Sequence, residues 1–317
     1  MKKNFKKAFS LLELSIVILI ISILIAGSMS ASVTAMNNAK YKVTRDRMNE
    51  IYKAMGNYLI NTKALPCPAS LTAIKSSAPT YGTSGSAGDC TLSGVYANAG
   101  GTVVYGAIPA QTLGLNTEMA EDGFGNKFTY VVVKALTSTS DTTGFGAASS
   151  VGNLVVRESL GGSNIDNALD AMFVIISHGA NKFGAFNNNA ATQNAASTDA
   201  DEQKNYGSIA GAVVTLGTHF VSAAANSDVF DDVLFYKNKN IALIDFNALS
   251  LVSCPQEDTL TDNCDTGTCT WPKSSYNQIV SPTQSCASGF TSTVSKPTRR
   301  CGAFGAWQSG TINPCTN

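Results

Sequence analysis

One carboxylate constrains this chain more than any other residue. Glu13 stands inside an almost unbroken apolar run from Phe9 to Ala26, FSLLELSIVILIISILIA, behind Lys2, Lys3, Lys6 and Lys7. A helix over residues 9–26 would be about 27 Å long, close to the roughly 30 Å hydrocarbon core of a bilayer. The basic flank holds the N-terminus in the cytoplasm and sends the rest outward. A charge at that depth is costly, so Glu13 is a functional candidate that needs a partner.

Two readings of the segment leave Glu13 unexplained. One is a secretory signal peptide cut at a small-x-small site, such as Ser30-Ala31-Ser32 or Ala31 to Ala35; the other is a plain signal anchor. A third accounts for it. A cut between Ala8 and Phe9 gives Phe9 a cationic amine, with Glu13 four residues on and on the same helical face. In a filament, Glu13 of one subunit then neutralises the Phe9 amine of the next, offsetting a cost neither charge bears alone.

The run Lys6-Lys7-Ala8-Phe9-Ser10-Leu11-Leu12-Glu13-Leu14 resembles the class III leader of type IV prepilins and type II secretion pseudopilins. The resemblance implies cleavage by prepilin peptidase at Ala8–Phe9, N-methylation of Phe9, and Glu13 as the assembly glutamate. Ala8 stands where the family usually has Gly.

Beyond the apolar run, Val33, Met36, Val43, Met48, Ile51, Met55 and Tyr58 recur at helical spacing, with Lys40, Arg45, Asp46, Arg47 and Glu50 largely between them. The helix is therefore expected to continue to about residue 60 and to lay one apolar stripe on a head. Gly27 is a weak point within it. Leu65-Pro66-Cys67-Pro68 ends it, because proline cannot continue a helix. Short β-rich runs follow at Thr102–Tyr105, Phe128–Lys134, Leu154–Val156, Met172–Ser177, Val213–Leu216 and Val233–Tyr236, and Asn238–Val252 reads as a short helix.

Three head segments resemble those of pseudopilins and minor pilins. Cys67, just past the helix, is placed to pin the first loop by pairing with Cys90. Asp122-Gly123-Phe124-Gly125-Asn126, followed by Phe128 and Tyr130, is similar to the D-x-W-G-N-x-x-x-Y turn that opens a pseudopilin sheet, with its aromatic expected in the core. Ile176-Ser177-His178-Gly179-Ala180-Asn181-Lys182 resembles the loop with which major pseudopilins hold calcium. Asp199, Asp201 and Glu202 are the candidate hard-oxygen ligands, although Asn181-Lys182 replaces the family's Asp-Gly.

The other six cysteines (Cys254, Cys264, Cys269, Cys286, Cys301 and Cys315) crowd into the last 64 residues. An even, clustered set reads as disulfides made in an oxidising compartment. A zinc site at Cys264 and Cys269 is the alternative, but no C-x-x-C occurs and neither His178 nor His219 is near. Cys286-Ala-Ser-Gly-Phe290, Cys301, Gly305-Ala-Trp307 and Cys315 together resemble the second half of a sushi-type module. That would pair Cys286 with Cys315, and Cys301 with an earlier cysteine. Trp271 and Trp307 are candidate adhesive contacts, or else pack on the disulfides.

The 22 basic and 22 acidic residues balance, which gives no general pull toward nucleic acid. Lys296, Arg299 and Arg300 form the best basic tract for a DNA-uptake (competence) pilin. No hydrolase, zinc-protease, P-loop or dinucleotide motif occurs, so no enzyme is expected. The expectation is an α+β protein in four parts: a leader 1–8, a pilin helix 9–60 (transmembrane about 9–26), a head 61–250 with an antiparallel sheet, and a cysteine-rich module 251–317. The implied partners are prepilin peptidase, the inner membrane before assembly, and other pilin or pseudopilin subunits afterwards. The head would lie in the periplasm and then in a pilus or pseudopilus.

Overall fold

The computed structural model describes residues 11–76, 78–140, 142–159, 161–165, 171–223, 230–260, 262–290, 296–308, 311–312 and 314–316, with backbone alone for 26–32. Ala8 and Phe9 lie outside the described residues, and so does any contact of the Phe9 amine.

Helix α1 runs from Leu11 to Thr62, 52 residues, or about 78 Å at 1.5 Å per residue. It stops because Lys63 turns left-handed (φ 60°) and its N–H returns to the Leu59 carbonyl at 2.7 Å; Pro66 and Pro68 then forbid resumption. From Leu11 to Ile25 the apolar side chains are exposed, whereas Met48, Ile51, Met55 and Leu59 are buried to within 1%. Burying each of these four stabilises the fold by roughly 1.5–3 kcal/mol before the entropy of ordering is set against it. The expected stripe is thus shorter than the sequence suggested. Val33, Met36 and Val43 stay exposed, and the first buried position is Thr44.

The head is a seven-stranded sheet. Its strands are β1 (Tyr96–Ala97), β2 (Val103–Ala107), β3 (Thr129–Val133), β4 (Phe173–Ser177), β5 (Ser208–Ala210), β6 (Val213–Thr215) and β7 (Val233–Lys237). The spatial order is β5-β6-β1-β2-β3-β4-β7. Every pairing is antiparallel except β1 with β6. Strands β2, β3 and β4 are buried at every position, so they read as apolar runs without alternation. Tyr52 of α1 meets Phe173 and Phe235 on the sheet, and Phe246 just past the short helix α2 (Lys239–Asp245). Outside the main sheet, Val156–Arg157 pairs in parallel with Phe220–Val221.

The cysteines join as Cys67–Cys90, Cys254–Cys301, Cys264–Cys269 and Cys286–Cys315. The first closes a 23-residue separation, worth about 3 kcal/mol in the chain-entropy account. In the C-terminal region Cys264, Cys269 and Trp271 form a small core of their own. The Arg299 guanidinium lies over both the Trp271 and Trp307 rings, 5.3 and 5.4 Å from their centroids, and pairs with Glu257 at 2.9 Å.

Above the buried stripe, α1 meets the turn 121–126. Gly123 N–H donates to Thr44 Oγ1 (3.0 Å), Arg47 donates to the carbonyls of Glu121 (2.8 Å) and Asp122 (3.3 Å), and Tyr41 packs edge-on against Phe124 at 4.9 Å. Phe124 therefore covers the helix instead of entering the core as expected. Gly123 is required by close approach: a Cβ there would lie 2.2 Å from the Lys40 carbonyl oxygen. Gly123→Ala is expected to destabilise the detergent-solubilised full chain by about 1–3 kcal/mol in denaturant unfolding; an unchanged midpoint would mean that the turn does not bear on the helix.

Candidate functional site

Three acidic side chains converge beneath that turn. Glu202 starts a 3-10 turn (Glu202–Asn205), while Asp231 and Asp232 lead directly into β7. Their carboxylates lie within 4.8 Å of one another, and the residues are only 2%, 5% and 2% exposed. Such a group is unstable unless something positive joins it.

Each carboxylate is held by one oxygen and leaves the other bare. Glu202 Oε1 accepts from Asn181 Nδ2 at 2.7 Å. Asp231 Oδ2 accepts the Ala180 and Asn181 N–H groups at 2.6 and 2.8 Å. Asp232 Oδ2 accepts from Asn205 Nδ2 at 2.9 Å. Glu202 Oε2, Asp231 Oδ1 and Asp232 Oδ1 are buried with no hydrogen-bond partner among the described residues. His178 Nδ1 stands 3.6 Å from Asp232 Oδ1, while its Nε2 meets Thr129 Oγ1 at 3.2 Å. Burial raises the pKa of Glu202 and of Asp231 above the usual carboxylate range, and the neighbouring acids add to it. The Tyr41 phenol of α1 lies beside Asp231; burial first, then that carboxylate, push its pKa up to about 12. Three anchored carboxylates, each with one oxygen that takes no hydrogen bond and only Asp232 Oδ1 near a basic partner in His178, suit a hard divalent cation, which takes oxygen ligands, better than a soft metal.

The loop that supplies the backbone donors, 177–181, is itself fixed to the helix-facing turn. Ser177 Oγ donates to Asp122 Oδ2 at 2.7 Å, and Asp122 Oδ1 accepts from the Phe124 and Asn126 N–H groups at 2.8 and 2.9 Å.

At the other end of α1, the stretch that begins at Leu11 presents Glu13 among exposed leucines and isoleucines. Residues 3–29 match the family described as the prokaryotic N-terminal methylation motif. The chain carries the leader of type IV pilins and pseudopilins. Comparisons with curated proteins and with solved structures gave no match. Among the described residues no helix of this pilin-like precursor is long and apolar enough to cross a membrane; the expected span 9–26 lies partly outside them.

The expected calcium ligands separate in space. Of Asp199, Asp201 and Glu202, only Glu202 enters the cluster. Asp199 Oδ1 instead accepts the N–H groups of Asp201 and Glu202 at 3.0 and 2.9 Å, which spends it on starting the turn, and Asp201 is half-buried outside the group. Lys182, which stands where the family loop has glycine, sits at a left-handed turn (φ 64°) with its side chain exposed. Asp231 and Asp232 were missed. Their signal was two consecutive acids at the entrance of the apolar run Val233–Tyr236, a place where an unpaired charge is expensive. Trp271 is fully buried, its Nε1 donating to Thr259 Oγ1 at 3.0 Å, so it is no surface contact.

The raised pKa values fix a pH dependence. A carboxylate whose folded pKa exceeds its unfolded one binds more protons when folded, so its stability is present at low pH and lost as pH rises through the folded value. With divalent cations chelated, the melting temperature of the precursor is expected to fall as pH rises from about 4 through the raised values of Asp231 and Glu202. A midpoint that climbs over that range would show the carboxylates to be solvated.

Proposed function

We propose that the chain is a minor type IV pilin or pseudopilin: a structural subunit, not an enzyme, cut by prepilin peptidase between Ala8 and Phe9 and N-methylated at Phe9. One observation carries the reading. The methylation motif at residues 3–29 overlaps, from Leu11 on, a 52-residue helix that is bare and apolar at one end and packed into a head at the other. Such a helix can lie in the inner membrane with its head in the periplasm, and can exchange lipid for neighbouring helices on assembly, Glu13 meeting the Phe9 amine of the next subunit. A large head with an added disulfide-closed module suits a subunit used in few copies near a tip, with adhesion through that module as its role; Trp307 remains half-exposed there.

The DNA-uptake alternative is the less favoured. Arg299 is committed to Glu257 and two tryptophans, Lys296 to the carbonyl of Thr283 and Arg300 to Asn277, leaving little for a phosphate backbone.

In this reading the acidic cluster is a calcium site formed by Glu202, Asp231 and Asp232, with Asn181 and the 177–181 loop positioning the carboxylates. The ion supplies positive charge to a buried anionic group and so closes the head. Calcium is expected to raise the melting temperature at neutral pH, and Glu202→Gln to remove most of that gain.

The subunit reading is tested by the N-terminus and intact mass of membrane-extracted protein from cells with and without prepilin peptidase. A methylated chain beginning at Phe9, made only when the peptidase is present, is expected. An uncut chain in both strains, or one beginning near Met36, would sink it.

A further inference from the structure

We propose that a divalent cation held by Glu202, Asp231 and Asp232 locks residues 40–47 of α1 to the head, so that occupancy of the site sets how firmly the pilin helix is held where it leaves the head. The inference rests on the cation reading above and adds to it a mechanical output.

The connection is short and made of named contacts. Asp231 holds the 177–181 loop through two backbone N–H groups, at Ala180 and Asn181. Ser177 at the start of that loop donates to Asp122, and Asn126 Nδ2 reaches the Gly179 carbonyl at 3.5 Å. Gly179 packs directly on Asp231: a Cβ there would fall 2.3 Å from Asp231 Oδ1. The turn 121–126 then meets α1 through Gly123 on Thr44, the Glu121 and Asp122 carbonyls on Arg47, and Phe124 on Tyr41. The Lys40 ammonium lies 5.6 Å over the Phe124 ring, and Tyr41 also stands beside Asp231 itself.

The cation decides whether this arrangement is stable. Without it, three carboxylates within 4.8 Å repel in a poorly solvated space, and the strain is relieved by protonation, by His178 beside Asp232, or by movement of Asp231 and the loop it carries. Lys40, Tyr41, Thr44 and Arg47 all meet the head at this turn or at Asp231, so their footing moves with it. Met48, Ile51, Met55 and Leu59 rest on the apolar core, which has no stake in the charge. The expected response is therefore local to the upper segment of the buried half of α1.

The test is hydrogen exchange by mass spectrometry on the full chain in detergent, in calcium or in chelator, with calcium binding measured separately by calorimetry. Calcium is expected to slow exchange of amides 40–47 roughly tenfold while leaving amides 51–59 nearly unchanged. Tyr41→Phe is expected to bind calcium and show a smaller slowing; Asp231→Asn is expected to lose binding and slowing together. Binding with no slowing at 40–47, or with equal slowing along the whole helix, would overturn the lock and leave the calcium site standing. No binding at all would overturn the site and the lock together.

Discussion

Everything in the head depends on one face of one helix. Met48, Ile51, Met55 and Leu59 recur at steps of three and four residues, and this stripe is what the sheet closes over. Strands β2, β3 and β4 are buried at every position, so they cannot exist as a half-wet sheet and fold only as part of a covered one. The Cys67–Cys90 bridge and the prolines after Thr62 make the chain turn back at once, which places the first loop where it can contribute to that cover.

A second constraint opposes the first. Burial that stabilises the strands also traps Asp231 and Asp232 at the start of β7, with Glu202 brought against them from the 3-10 turn. Hydrogen bonds to one oxygen of each acid, two of them at Asp231, hold their geometry without neutralising them. In the proposed reading such a site is pre-organised for a cation and costs stability without one, a pattern expected of a functional position more than of a structural one.

The sequence made some of this legible. Glu13 in its apolar run, the helical spacing down to Leu59, the long strands and the clustered cysteines all rest on local pattern, and all describe short-range physics. Two strands of the main sheet went unseen. Tyr96–Ala97 and Ser208–Ala210 are too short to carry a period, and exist because longer neighbours offer them an edge. The acidic cluster was seen only at Glu202, because Glu202 lies far along the chain from Asp231 and Asp232 and joins them through Asn181 and Asn205, contacts that no local pattern encodes. The stripe was overextended to Val33, Met36 and Val43, since helical spacing shows which face is apolar but not where the head stops.

That boundary has a consequence under load. A pull along the axis of α1 is resisted by Thr44, Arg47 and the buried stripe acting in parallel, a shearing geometry in which no single bond carries the force. A sideways pull on the bare end concentrates on Tyr41 and Thr44 first and strips the contacts in sequence. The same joint is therefore strong against stretching and weak against peeling, and a subunit so built favours neighbours that keep its helix straight.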